Sequence, residues 1–241
     1  MWNRRNAATA SGVGSAAKTM RAILFGATGM VGQGVLRECL RDPRVESVLS
    51  IGRTATGQRH EKLREIVQAD VANLSAIQAE LSGYDACFFC LGVSSVGMRE
   101  EDYRRVTYDL TLSVARTLAQ NPGTTFVYVS GTGTDSSERG RSMWARVKGE
   151  TENALLGLPF QAAYMFRPGY IQPLDGIAAK TRWIRVIYAV AAPVYPILKA
   201  LFPRYATTTR QVACAMIQVA AQGAPKRVLE NDDINHVRCG G

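Results

Sequence analysis

The sequence predicts an α/β fold, a doubly wound parallel sheet with helices on both faces and a small, mainly helical lobe on its C-terminal side. Two observations predict it. Short apolar runs alternate with amphipathic helical stretches from residue 20 to residue 167, the pattern of strands buried on both faces. A glycine-spaced turn, Gly26-Ala27-Thr28-Gly29-Met30-Val31-Gly32, also joins the first run to the first helical stretch. With 241 residues the chain can bury roughly 70 to 75% of its unfolded surface without a disulfide or metal staple. Apolar residues at 46%, charged residues at 20% and 22 glycines against 9 prolines exclude a disordered, collagenous or coiled-coil chain.

Residues 2 to 19 are rich in Ala, Ser, Gly and Asn and lack periodicity, so residues 1–19 read as a disordered extension and Met20 as the start of the folded domain. Arg21 to Phe25 is the first strand, Met30 to Leu40 a helix and Val45 to Ile51 the second strand. Later strands are predicted at Ile66 to Ala69, Ala86 to Leu91, Thr125 to Ser130 and Gln161 to Arg167. Helices are predicted between them at Asn73 to Leu81, Glu101 to Gln120 and Ser142 to Leu156. Residues 170 to 210 would form a substrate-side lid. The apolar stretch running from Trp183 is too short and too broken by Pro193 and Pro196 to span a membrane.

The glycine turn carries chemistry. Glycine permits the tight turn and removes the Cβ that would hold the backbone away from a pyrophosphate, while free N–H groups and the helix dipole receive its charge. Its residues Gly26, Thr28, Gly29, Met30, Val31 and Gly32 are therefore candidate cofactor contacts. At the end of the second strand, Ser50-Ile51-Gly52-Arg53 offers no carboxylate for a ribose 2′-OH. Arg53 can instead hold a 2′-phosphate through a forked, charge-assisted contact, which favours NADP over NAD.

The spacing is GxxGxxG. Together with Asp70-Val71, Leu91-Gly92, Ser130, Lys148 and Arg167-Pro168-Gly169, it resembles the extended and atypical short-chain dehydrogenase/reductases, most of all their Tat-interacting-protein-like and NmrA-like, epimerase/dehydratase-like NAD(P)-binding branch. The resemblance covers residues 20 to 230 and implies a single Rossmann domain over residues 20–241. It implies that Asp70 and Val71 flank the adenine, that Leu91 and Gly92 pass beneath its ribose, and that Lys148, Arg167 and Pro168 complete the cofactor site. In active members a Tyr lies four residues before the Lys, which lowers its pKa, and a Ser polarises the substrate. Ser130 and Lys148 are present, but Trp144 occupies the tyrosine position, and an indole N–H donates without usefully ionising. Thr107 likewise stands where extended members commonly place Asn. The string Tyr195-to-Lys199 satisfies YxxxK in the wrong context, beyond Arg167-Pro168-Gly169.

With His60 and His236 as its two histidines, the chain offers no His-rich metal site. Five cysteines without framework spacing favour a reducing, cytoplasmic compartment, although the acid-free Arg and Ser content of the first residues is transit-peptide-like. Cys87 and Cys90, three apart in a strand, point to opposite faces, and Cys39, Cys214 and Cys239 show no pairing signal. The net charge of +9 is uneven: residues 176 to 229 hold eight basic residues and no acid. Such a lobe could face an anionic partner, but it lacks a nucleic-acid motif or interleaved stacking aromatics. The expectation is an NADP-binding oxidoreductase or epimerase-like protein acting on an apolar carbonyl or hydroxyl substrate. The alternative is a catalytically quiet redox-sensing regulator working through a protein partner. A homodimer is compatible with either reading, and membrane-surface contact is not favoured.

Overall fold

The computed structural model describes residues 19–177 and 203–239. The expected disordered extension, apart from Thr19, lies outside them, as do most of the expected lid and the Tyr195-to-Lys199 string. Strands β1 (Met20–Phe25), β2 (Val45–Gly52), β3 (Leu63–Val67), β4 (Ala86–Phe89), β5 (Thr125–Val129), β6 (Ala162–Arg167) and β9 (Val228–Glu230) form a seven-stranded sheet in the order β3-β2-β1-β4-β5-β6-β9. Every neighbouring pair in it is parallel. A second, two-stranded parallel sheet pairs β7 (Tyr170–Gln172) with β8 (Ala206–Thr208). Among the described residues the α-helices are α1 (Met30–Arg41), α2 (Glu100–Arg104), α3 (Leu110–Leu118), α4 (Met143–Leu156), α5 (Thr209–Gln222) and α6 (Asn231–His236).

The alternation of side chains along each strand divides the core into two layers. Ala22, Leu24, Phe88, Val127 and Phe166 face a layer covered by α1 and α5. Ile23, Phe25, Phe89, Phe126 and Tyr128 face the layer covered by α3, α4 and a 3₁₀ turn at Ser75–Leu81. In this second layer Phe25, Phe89 and Phe126 form a row across three strands, with centroids 5.5 and 5.8 Å apart. Each such ring contributes about 1.5 to 3 kcal/mol through burial. The same alternation puts Cys87 in one layer and Cys90 against the other.

Three expectations are corrected. The third strand starts at Leu63 rather than Ile66, because this edge strand is only partly buried and no continuous apolar run marks its start. The helix expected over Glu101 to Gln120 is interrupted by a π-helical turn at Arg105–Asp109 that holds the buried Thr107. Apolar periodicity tolerates one residue of slip, so such a turn leaves no trace in it. Cys214 on α5 and Cys239 beyond α6 form a disulfide, with α-carbons 5.7 Å apart, while Cys39, Cys87 and Cys90 are free thiols. The fold, rather than any spacing, brings the bridged pair together.

Candidate functional site

The residues singled out from the sequence converge on one edge of the main sheet. Gly26 follows β1, Arg53 follows β2, Asp70 and Val71 lie beyond β3, Leu91 and Gly92 beyond β4, Ser130 follows β5, and Arg167 ends β6. Strand order reverses between β1 and β4, which opens a crevice outside these C-terminal ends. Gly26 has φ +83°, and a Cβ there would come 2.7 Å from the Cys90 carbonyl carbon and oxygen. A Cβ on Gly32 would lie 2.0 Å from the Gly26 oxygen. These two positions must be bare for the turn to close.

Gly29 donates its N–H to Gly26 O at 2.8 Å, and the first α-helical bond runs from Gln33 N–H to Gly29 O, also 2.8 Å. Helix α1 has neither a side-chain cap nor an acid in its first turn. Its leading amides are therefore left to an anion, and the cradle fits a dinucleotide pyrophosphate. Gln33 Nε2 donates to Thr28 O at 3.2 Å and braces the turn. Arg53 is exposed and has no ion-pair partner among the described residues. Val71 is buried, whereas the Asp70 carboxylate accepts the Ala72 N–H at 2.9 Å.

The reacting side is built on α4. Trp144 and Lys148 lie one turn apart, and the Trp144 ring lies across Gly133, where a Cβ would come within 3.3 Å of it. Lys148 Nζ sits 5.5 Å from the centre of the Tyr128 ring and, among the described residues, has no hydrogen-bond or ion-pair partner. Burial holds its pKa down to about 8, against the pull of Glu152 in the other direction. Ser130 Oγ donates to Glu152 Oε1 and lies 3.1 Å from Phe166 O, a second acceptor. Thr132 Oγ1 donates to Arg167 O at 3.0 Å, and Thr134 Oγ1 to Gly131 O at 2.8 Å. All three hydroxyl protons are thus committed within the protein. The phenols of Tyr103 and Tyr128 are buried, and burial pushes both pKa values up, away from any role as an acid.

Arg167, placed with the cofactor residues from sequence, turns its guanidinium away from that duty. Its Nε lies 3.1 Å from both Glu152 oxygens, and its Nη1 3.0 Å from Glu230 Oε1. What position 167 can offer a cofactor is backbone. Glu152, absent from the sequence-derived site, is the buried centre that joins Ser130 to Arg167. One signal pointed to it: an acid four residues after Lys148 shares its helix face.

Residues 26–155 match the model of a family described as NAD(P)H-binding. The chain belongs to this family. It is similar to the protein named fmp52, mitochondrial, of Aspergillus fumigatus, at 30% identity over 73% of this chain and 77% of that protein. It is also similar to FMP52-2, mitochondrial, of Scheffersomyces stipitis, at 27% identity over 87% of this chain and 90% of that protein. Among solved structures, the Bordetella bronchiseptica enzyme WbmF in complex with NAD⁺ has a TM-score of 0.65 at 15% identity, covering 91% of this chain and 77% of that one. The dTDP-glucose 4,6-dehydratase DesIV of Streptomyces venezuelae has the same TM-score and identity over 87% and 74%. The fold is thus that of Rossmann-type dehydrogenases and epimerase/dehydratase-like short-chain dehydrogenase/reductases, and a nicotinamide cofactor is its ligand class. The cytoplasmic placement expected from cysteine usage is overturned, because the named relatives are mitochondrial proteins.

Proposed function

We propose that this NAD(P)-binding protein prefers NADP and is an oxidoreductase or epimerase-like member of its family whose ordinary proton donor has been lost, acting in mitochondria on an apolar carbonyl or hydroxyl compound. The observation that carries this reading is Trp144 one turn before Lys148, with the Ser130, Thr132 and Thr134 hydroxyls all donated elsewhere. A bound nicotinamide would supply hydride exchange. Gly26 to Gly32 would hold the pyrophosphate, Arg53 the 2′-phosphate and Lys148 the ribose hydroxyls. The Ser130, Thr132 and Thr134 hydroxyls, each donated within the protein, are not free to protonate a substrate oxygen.

The test is steady-state NADPH oxidation over a panel of aldehydes and ketones, comparing wild type with Trp144→Tyr. A positioned general acid contributes about 10² to 10⁴ in rate, so the variant is expected to gain a large part of that factor with unchanged cofactor affinity. Rapid turnover by wild type with no gain in the variant would show that another donor operates. The committed hydroxyls also favour a second reading, a catalytically quiet protein that reports cofactor state to a partner. Inactivity of both forms despite NADPH binding would put that reading first.

A further inference from the structure

Away from the sheet edge, a cleft of about 630 Å³ opens between α1 and α5, and the Cys214–Cys239 disulfide lies in its wall. Arg41, Arg44 and Arg210 line it, against the carboxylates of Glu38 and Asp42. Asp42 is held by Arg44 at 2.7 Å, whereas Arg210 is shared between Asp175 at 3.4 Å and Glu38 at 3.9 Å. Arg41 is exposed and has no ion-pair partner among the described residues, and Arg238 adjoins the bridge in sequence. The positive charge left without an ion-pair partner beside the bridge, among the described residues, is that of Arg41 and Arg238, and Cys239 is an exposed residue. The other half of the bridge, Cys214, is half-buried and lies one helical turn after Arg210. Cations beside a cysteine stabilise its thiolate, and an exposed bridge that releases a stabilised thiolate opens readily.

We propose that this cleft is a thiol–disulfide exchange site for a small carboxylated thiol of the glutathione class, with Cys239 the residue modified. The incoming thiolate attacks Cys239 Sγ, the Cys214–Cys239 bond breaks, and its electron pair leaves on Cys214 Sγ as a thiolate. One mixed disulfide forms on Cys239, so the small thiol supplies the sulfur and no further oxidant or reductant is required. The arginines recognise the carboxylates of the thiol and stabilise the leaving Cys214 thiolate. Opening the bridge unties the tail from α5, where Gln211 Nε2 also holds the carbonyls of Ile234 and Val237 at 2.8 and 3.0 Å. The tail follows α6, whose Asn231 Oδ1 accepts the Gly169 N–H at 2.8 Å.

The experiment uses the full chain purified without reductant. Alkylation under denaturing, non-reducing conditions followed by peptide mapping is expected to modify Cys39, Cys87 and Cys90 and to leave Cys214 and Cys239 unmodified. Native chain is then exposed to reduced glutathione or to neutral 2-mercaptoethanol at equal thiolate concentration. Mixed disulfide on Cys239 should form about tenfold faster with glutathione, a preference of the size that charge steering provides. It should fall to parity in 0.5 M salt and in the Arg41→Ala/Arg210→Ala double variant. The 2-mercaptoethanol rate reports on folding: if it is unchanged in the variant, the lost preference is charge recognition. If it changes, single Arg41→Ala, at the exposed and unpaired position, must still lower the preference. Alkylation of all five cysteines at the outset, equal rates for the two thiols, or a preference that survives loss of the arginines would each overturn the proposal.

Discussion

The glycine turn after β1 and helix α4 border the same crevice, yet they are finished to different degrees. At the turn the backbone is bare at Gly26 and Gly32 and the amides opening α1 are uncapped, while Arg53 is exposed with no ion-pair partner among the described residues. At α4 Trp144 stands one turn before Lys148, Lys148 has no hydrogen-bond or ion-pair partner among the described residues, and the neighbouring hydroxyls are turned inward to Glu152 and to backbone carbonyls. A binding site needs shape and backbone dipoles, which the fold itself maintains. Proton transfer needs one group with one ionisable proton, and a single substitution removes it without disturbing the packing around it.

The largest effect is expected at the hub beneath the reacting side. Glu152 is fully buried and satisfies Arg167 and Ser130, so Glu152→Ala would leave a guanidinium uncompensated and cost about 3 to 5 kcal/mol in urea unfolding. Stability near wild type would mean that Arg167 finds its charge balance at Glu230 alone. A smaller effect, of about 1.5 to 3 kcal/mol in binding, is expected for Arg53→Ala, seen as weakened NADPH binding with NADH unaffected in fluorescence titration. Equal loss of both cofactors would remove the 2′-phosphate assignment and blunt the contrast between the two regions.

A third effect is a slope. Lys148 is held down to about 8 in the folded chain, whereas an unfolded lysine titrates at about 10.4. Between these values the unfolded state binds more protons, so this residue adds stability as pH rises from 8 toward 10. Urea midpoints for wild type and Lys148→Met across that range should converge as the wild type gains. Parallel curves would show that the ammonium is solvated and that its burial is not felt.

The cofactor half was legible because its logic is local. Three glycines, a strand and a helix start lie within a dozen residues, and the missing carboxylate before Arg53 is visible in four. The reacting half was legible in part: Trp144 and Lys148 share one helix at fixed spacing, so their placement one turn apart could be read directly. The engagement of Ser130 could not, because it depends on a carboxylate 22 residues away and on an arginine from another strand. The disulfide was hidden for the same reason, since α5 and the tail meet only through tertiary packing. The π turn at Arg105–Asp109 escaped because periodicity averages over a single inserted residue.

The measurement that tests the account most directly is a crystal structure of the chain with NADPH. The account predicts the pyrophosphate on the amides of Gly29 to Gly32, Lys148 Nζ on the ribose hydroxyls, Trp144 beside the nicotinamide, and the Ser130 hydroxyl still donated to Glu152. A Ser130 hydroxyl swung toward the nicotinamide, or a tyrosine phenol from elsewhere in the chain facing its C4 atom, would contradict the claim that this site has kept its cofactor and lost its acid.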